Sequence, residues 1–134
     1  MSENFTINHV GMAVPNIKEY LAKCEALYRG FSTGSEIINE IQGVREVFLS
    51  DGKVMLELLE PIDSRSAIAG FMRHHPIGGL IHVCYECDDI VKAIAELTAN
   101  RAKLISGPTP DVAFTNRPIA FLFMAGQLIE LVQR

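Results

Sequence analysis

The stretch LIHVCYECDDI, at Leu80–Ile90, repeats the outline of an earlier stretch, INHVGMAVPNI, at Ile7–Ile17. Each predicts a short strand with a histidine near its start, followed by a helix that begins at an Asn or an Asp. The two histidines, His9 and His82, lie 73 positions apart. Similarity within one chain at a fixed shift indicates a duplicated structural unit. A duplication predicts that the same shift relates further positions.

The shift of 73 also relates two glutamates. Glu57, in VMLELLE, falls on Glu130, in QLIELVQ, and Phe48 falls on Phe121. Each copy therefore carries one histidine and one glutamate at matching places. These four side chains form the candidate site.

Composition limits the class of protein. The chain has 134 residues, a formal net charge of −4 and no cluster of Lys or Arg. This balance argues against a nucleic-acid partner or an anionic membrane surface, because both attract a basic patch. The N-terminal MSENFTIN does not resemble a signal peptide, and no apolar run approaches the roughly 18 residues of a membrane span. Three cysteines make no disulfide framework, so we expect a cytoplasmic location. The length of the chain predicts a single domain.

Hydrophobic periodicity and turn residues predict the same element order, βαβββ, in both halves. The first half is predicted to contain a strand at 6–14, a helix of about three turns from Ile17 to Gly30, strands near 31–38, 43–50 and 53–60, and a short helix at 64–73. The second is predicted to contain a strand at 80–87, a helix from Ile90, a strand at 103–106, a turn-rich segment at 107–118, and strands near 118–124 and 127–133. Modules 5–62 and 78–134, joined by 63–77, make an α+β fold with helices on one face of antiparallel-rich sheets.

Strand alternation places the candidate residues on the faces opposite the helices. His9 shares a face with Gly11 and Ala13, whose small size leaves space above the sheet. Glu57 is a carboxylate on an otherwise apolar side of its strand. A buried carboxylate is costly unless it is neutralised or meets a cation. If the halves pack about a pseudo-twofold axis, the two imidazoles and two carboxylates converge and suit a divalent first-row metal with a position open for substrate.

Glu46 lies outside the repeat. It shares a strand face with Phe48, but the shifted position is occupied by Ile119. One interpretation is an exposed strand glutamate near a turn, and the other is a general base that only one half supplies. The pattern favours neither.

Five stretches carry a resemblance to a known family. They are NHVGMAVPNI at 8–17, QGVREVFL at 42–49, LELLEPIDSRSAIAGFM at 56–72, GGLIHVCYECDDI at 78–90 and LIELV at 128–132. In their order and spacing the chain resembles the vicinal oxygen chelate superfamily, which has the glyoxalase/bleomycin-resistance fold. Within it, the chain is most similar to the methylmalonyl-CoA epimerase branch.

The resemblance implies an incomplete eight-stranded barrel of two βαβββ modules around a divalent metal ion, Co, Ni, Zn or Mn. Its metal ligands would be His9, Glu57, His82 and Glu130, and its acid/base pair would be Glu46 and Glu130. The implied activity is proton abstraction α to a carbonyl in a small-molecule substrate, an acyl-CoA or another thioester or ketone. We expect a homodimer, and whether the modules pair within a chain or swap between chains stays open.

Two alternatives remain at this point. A glyoxalase-I-type lactoylglutathione lyase uses the same enolate chemistry, and Glu57 is the residue that this enzyme class carries at the corresponding position. A non-catalytic small-molecule binding or resistance module on the same fold ranks last. Such modules usually lack the full ligand set, whereas this chain retains it.

Overall fold

The structure is a computed structural model that describes residues 2–134, and over that range it is an α+β fold, as predicted. Its strands are Thr6–Ala13 (β1), Ser32–Thr33 (β2), Ile37–Asn39 (β3), Val44–Ser50 (β4), Met55–Pro61 (β5), Gly79–Cys87 (β6), Lys103–Asp111 (β7), Arg117–Met124 (β8) and Gln127–Gln133 (β9). Its α-helices are Ile17–Lys23 (α1), Ala69–His74 (α2) and Ile90–Ala99 (α3), with a 3-10 helix at Val112–Phe114. Four strands follow α1 in the first half instead of the predicted three, because the predicted strand at 31–38 is divided into β2 and β3.

The chain divides into two compact units. The first unit is Val10–Ile81, and the second is His82–Arg134 together with the residues up to His9. Strands β1 and β6 each run from one unit into the other. Within residues 2–134, no helix is both long enough and apolar enough to cross a membrane.

The sheet of the first unit has the order β2-β4-β5-β1, with β3 also paired to β4. Strands β4 and β5 form an antiparallel hairpin, and β5 runs parallel to β1. At the hairpin turn, the Asp51 carboxylate accepts hydrogen bonds from the backbone N–H groups of Lys53 and Val54, while Gly52 adopts a φ of +90°. The Asp-Gly dipeptide therefore forms the turn between β4 and β5.

Apolar side chains pack on both sides of this sheet. One cluster, beside α1, is formed by Val14, Ile17, Val47, Leu49 and Leu58. The other is formed by Ala13, Val44, Leu59 and Ile68, with Phe71 and Met72 of the α2 region packed against it. The alternation predicted for residues 6–14 is confirmed, because Ala13 and Val14 belong to different clusters. Space was expected above the sheet at Ala13, but the second cluster fills it. An empty space there would leave the buried apolar side chains without packing contacts.

The sheet of the second unit has the order β6-β9-β8-β7. Strand β9 runs parallel to β6 and antiparallel to β8. Helix α3 is capped at its N-terminus by Asp89, whose side chain accepts hydrogen bonds from the N–H groups of Val91 and Lys92. The core under this helix contains Cys87, Ile90, Ala93, Ala102, Ala120, Leu122 and Leu131. An N-terminal cap and an apolar stripe thus explain both the start of α3 and the face it buries.

Three predicted boundaries were wrong. Helix α1 ends at Lys23 instead of continuing toward Gly30, and Leu27, which lies within the predicted helix, is 68% exposed. The short helix spans Ala69–His74 instead of 64–73. The segment at 107–118 is not simply turn-rich, because β7 continues to Asp111 with register irregularities against β8. An edge strand tolerates prolines and bulges that a central strand would exclude.

Candidate metal centre

Three predicted ligands meet inside the second unit. The Nε2 atoms of His9 and His82 lie 3.3 Å apart, and each lies 3.2 Å from Oε1 of Glu130. The three residues are 1%, 7% and 3% exposed. Two imidazole nitrogens and one carboxylate oxygen therefore form a nearly equilateral triangle away from bulk solvent.

The strand register explains this convergence. Strand β6 carries His82 and Cys84 at alternate positions, which puts both side chains on one face. Cys84 is directly opposite Glu130 in the parallel β6–β9 pairing. The burial of Cys84, which is 0% exposed, is consistent with that inward face. The period-two pattern read from the sequence is therefore what brings His82 to the same side as Glu130.

The spacing of the three donor atoms suits a metal ion. Two donors that each lie about 2.0–2.1 Å from a tetrahedral zinc ion are about 3.3–3.4 Å apart. The distances of 3.2 and 3.3 Å between the donors in the triangle are close to that value. Imidazole and carboxylate donors are also those that Zn²⁺ and neighbouring first-row divalent ions accept. His9, His82 and Glu130 therefore fit the divalent metal ion that the sequence predicts.

Aromatic rings line the two histidines. Phe114 stacks on His9 with ring centroids 5.7 Å apart and an interplanar angle of 19°, and Phe121 meets His82 edge-on at 5.8 Å. The guanidinium of Arg117 lies 5.5 Å from the centre of the Phe114 ring. Sequence reasoning missed the contact of Phe114, because this residue lies in the 3-10 helix that follows β7. Rings packed on imidazoles exclude water and restrict rotation of the ligands.

The first unit holds Glu57, the remaining predicted ligand. Glu57 lies on β5, opposite Phe48 of β4 and Gly11 of β1, and is 4% exposed. Gly11 follows His9 by two residues on the same strand, so the two positions share a strand face. The assignment of Glu57 as a ligand stays a prediction.

Glu46 is also buried in the first unit, at 2% exposure, so it is not an exposed strand glutamate. The Asn39 side chain donates a hydrogen bond from Nδ2 to Glu46 Oε1, with a length of 3.0 Å. Asn39 Oδ1 in turn accepts from the backbone N–H of Gln42 at 3.1 Å. Asn39 itself is 3% exposed and was missed from the sequence. The amide is thus held on one side by the backbone and orients the carboxylate on the other.

Similarity to known proteins extends along nearly the whole chain. The chain is 34% identical over 132 residues to the mitochondrial methylmalonyl-CoA epimerase of Dictyostelium discoideum, covering 96% of this chain and 78% of that protein. It is 33% identical over 133 residues to the ethylmalonyl-CoA/methylmalonyl-CoA epimerase of Cereibacter sphaeroides, covering 95% of this chain and 96% of that protein.

Solved structures and a family profile agree with this similarity. A methylmalonyl-CoA epimerase variant from Streptomyces coelicolor, in complex with 2-nitronate-propionyl-CoA, superposes with a TM-score of 0.78 at 28% identity and covers 95% of each chain. The profile of one superfamily matches residues 8–121. The chain therefore belongs to the Glyoxalase/Bleomycin resistance protein/Dioxygenase superfamily.

Proposed function

We propose that the protein is a metal-dependent epimerase that inverts the carbon α to the thioester carbonyl of an acyl-CoA, as a methylmalonyl-CoA epimerase does. The observation that carries the proposal is the buried triangle of His9, His82 and Glu130, with metal-ligand spacing. Similarity along the chain to proteins named as methylmalonyl-CoA epimerases supports the choice of substrate class.

The proposed metal ligands are His9, His82 and Glu130 from the second unit and Glu57 from the first. Glu57 is supported by its repeat relation to Glu130, by its burial and by its position opposite Gly11. When bound, a divalent metal supplies Lewis-acid stabilisation of negative charge on the substrate carbonyl oxygen. Co, Ni, Zn and Mn are all candidates, because each accepts imidazole and carboxylate donors.

Glu46 and Glu130 are the proposed acid/base pair. The proton α to a thioester carbonyl is weakly acidic, so its removal needs a positioned base. One carboxylate takes the proton, and the other returns a proton to the opposite face of the planar carbon. The roles reverse for the other epimer, because the forward and backward reactions share one transition state. The Asn39 hydrogen bond holds Glu46 in a fixed direction, which favours proton transfer from a defined position.

No observation favours the glyoxalase-I-type lyase or the non-catalytic binding module. The residue that suggested a lyase, Glu57, is equally usable as a metal ligand in an epimerase. The homodimer and the cytoplasmic location are further parts of the proposal, and size-exclusion chromatography with light scattering tests the former.

The first experiment measures metal and activity together. Protein purified without chelator is analysed for metal, then assayed for loss of α-deuterium from labelled methylmalonyl-CoA and for turnover of the methylglyoxal–glutathione hemithioacetal. We expect a bound first-row metal, turnover of the CoA ester only, and loss of activity after chelation with recovery on adding Co²⁺. Protein that binds none of Co²⁺, Ni²⁺, Zn²⁺ or Mn²⁺, or that turns over only the hemithioacetal, would refute the proposal.

The second experiment tests the base. Glu46→Gln removes the proton acceptor while it keeps the shape of the side chain, so we expect metal binding to persist and α-proton exchange to fall by about 10²–10⁴-fold. Glu36→Gln is the matched control, because Glu36 pairs with Arg45 at an exposed position. Exchange at the wild-type rate in Glu46→Gln would show that another group is the base.

A further inference from the structure

Asn8 lies between a carboxylate and one of the proposed metal ligands. Its Nδ2 is 2.7 Å from Oε1 of Glu86, and its Oδ1 is 2.7 Å from Nδ1 of His9. All three residues belong to the second unit. Both distances are at the short end of the range for hydrogen bonds from nitrogen to oxygen. The amide therefore contacts both neighbours at the same time.

The chemistry of the three groups fixes where the protons lie. An ionised carboxylate can only accept, so the Asn8 atom that faces Glu86 must be the amide NH₂. The carbonyl oxygen of Asn8 then faces His9, and it can only accept as well. The hydrogen bond at 2.7 Å therefore requires a proton on Nδ1 of His9. This leaves Nε2 as the atom that can offer a lone pair.

That lone pair points into the metal-ligand triangle. Nε2 of His9 lies 3.2 Å from Oε1 of Glu130 and 3.3 Å from Nε2 of His82. A nitrogen lone pair and a carboxylate oxygen that face each other at this distance repel unless a cation or a proton lies between them. The arrangement of Asn8 and Glu86 thus prepares His9 for a cation on its Nε2 side.

Glu86 is itself anchored by a second contact. Arg134 Nε lies 3.3 Å from Glu86 Oε2, the oxygen that does not contact Asn8. The same guanidinium donates to Thr6 Oγ1 at 2.7 Å and to Asp88 Oδ1 at 2.9 Å. Because each carboxylate oxygen has its own cationic or amide partner, the Glu86 carboxylate is held in its orientation toward Asn8.

The repeat does not provide the Asn8–Glu86 pair for the second histidine, His82. At the repeat shift of 73, Asn8 falls on Ile81, whose side chain cannot form a hydrogen bond. Glu86 falls on Ala13, which carries no carboxylate. The pair is therefore an addition to the duplicated framework and not a consequence of it.

From these contacts we propose that Asn8 and Glu86 are positioning residues, which fix the proton of His9 on Nδ1 and hold Nε2 ready to bind the metal. The inference rests on the proposed metal site. It assigns Asn8 and Glu86 no contact with substrate and no part in proton transfer at the α-carbon. Groups of this kind behind a metal-binding histidine typically contribute 10–100-fold to metal affinity.

The direct test is nitrogen-15 NMR of the histidine side chains in metal-free and Zn²⁺-loaded protein. Spectra are taken at about pH 8.5, which is about two units above the ordinary imidazole pKa. In wild-type protein we expect the Nδ1 atom of His9 to be protonated in both samples. In Asn8→Ala we expect metal-free His9 to lose this preference. A wild-type His9 with a bare Nδ1, or an unchanged spectrum in Asn8→Ala, would overturn the proposal.

Metal affinity gives the second readout. Competition with a chromophoric chelator should show Zn²⁺ binding weakened by about 10–100-fold in Asn8→Ala. Glu86→Gln should weaken it too, because a glutamine side chain can also donate and no longer dictates the direction of Asn8. Asp88→Asn is the matched control: it removes an exposed carboxylate that contacts Arg134 but leaves Asn8 untouched, so its affinity should equal that of the wild type.

The two proposals fail in different ways. If wild-type protein binds none of the four metals, the proposed metal site is refuted. The NMR experiment on metal-free protein still tests whether Asn8 fixes the proton of His9 on Nδ1. If wild type, Asn8→Ala and Glu86→Gln all bind metal with equal affinity, the metal site is supported and the positioning role of Asn8 and Glu86 is refuted.

Discussion

Replacing Gly78 with alanine should destabilise the first unit through two separable effects. Gly78 has a φ of +94°, and a Cβ placed on it would lie 2.3 Å from the backbone oxygen of Ala13 and 3.2 Å from Cα of Val14. Neither atom can move away by a side-chain rotation, because both belong to the backbone of β1 and its continuation. Gly78→Ala must therefore shift one segment of backbone against another.

The magnitude follows from comparison with two other glycines. Gly30 has nothing within 4 Å of its Cβ position and no positive φ, so Gly30→Ala should stabilise by about 0.4–1 kcal/mol through a more restricted unfolded state. Gly52 also has open space but a φ of +90°, so Gly52→Ala should carry only the conformational cost, about 1–2 kcal/mol. Gly78→Ala adds overpacking of about 1–3 kcal/mol to that cost. We expect a total of about 2–5 kcal/mol.

Urea unfolding of the three variants, followed by circular dichroism, measures these differences. The gap between Gly78→Ala and Gly52→Ala isolates the steric effect, because the two positions have nearly equal φ angles. If both variants lose the same stability, the close approach of Gly78 to Ala13 is not what makes glycine necessary there. If Gly52→Ala is as stable as Gly30→Ala, the conformational part of the reasoning is refuted.

Two further predictions concern buried polar groups. Asn39→Ala removes a hydrogen bond to the carboxylate of Glu46, and since such bonds contribute about 1.5–3 kcal/mol, kcat for epimerisation should fall by about 10–100-fold. An unchanged kcat would exclude Asn39 from positioning the base. Burial raises the pKa of the Cys87 thiol to about 11, so the thiol stays protonated below that pH and the folded protein should resist iodoacetamide at Cys87 near neutral pH. Peptide mass spectrometry should find the label first on the partly exposed Cys24, and equal labelling of both would contradict the burial of Cys87.

The sequence predicted the parts of the fold that depend on period and repetition. Alternation over the predicted strand at 6–14 puts Ala13 and Val14 on opposite faces, and the two side chains do enter different apolar clusters. The shift of 73 paired His9 with His82, and these imidazoles are in contact. Such features are predictable because burial of one strand face imposes the same period on sequence and structure.

Other features depended on contacts that have no period. Helix α1 was predicted too long because Leu27 continues a helical spacing, yet it remains exposed and contributes no burial to hold another turn. Asn39 reaches Glu46 only through the β3–β4 pairing, in which Asn39 lies opposite Val44. Asn8 gave one available signal, an amide directly before His9. Its meaning requires Glu86, which is distant in sequence and meets it only in the folded chain.

The unequal halves of the repeat have an evolutionary consequence. A module that assembled with an identical copy of itself would present every side chain twice, so Glu46 and Asn8 would each occur in two equivalent places. Joining both copies in one gene releases each from that constraint, and the second copy carries Ile119 and Ile81 at those positions. A methylmalonyl thioester has no twofold symmetry. A fused duplication can therefore keep the repeated histidine and glutamate positions in both halves, while residues that an asymmetric substrate requires only once, such as the proposed base Glu46, occur in one half alone.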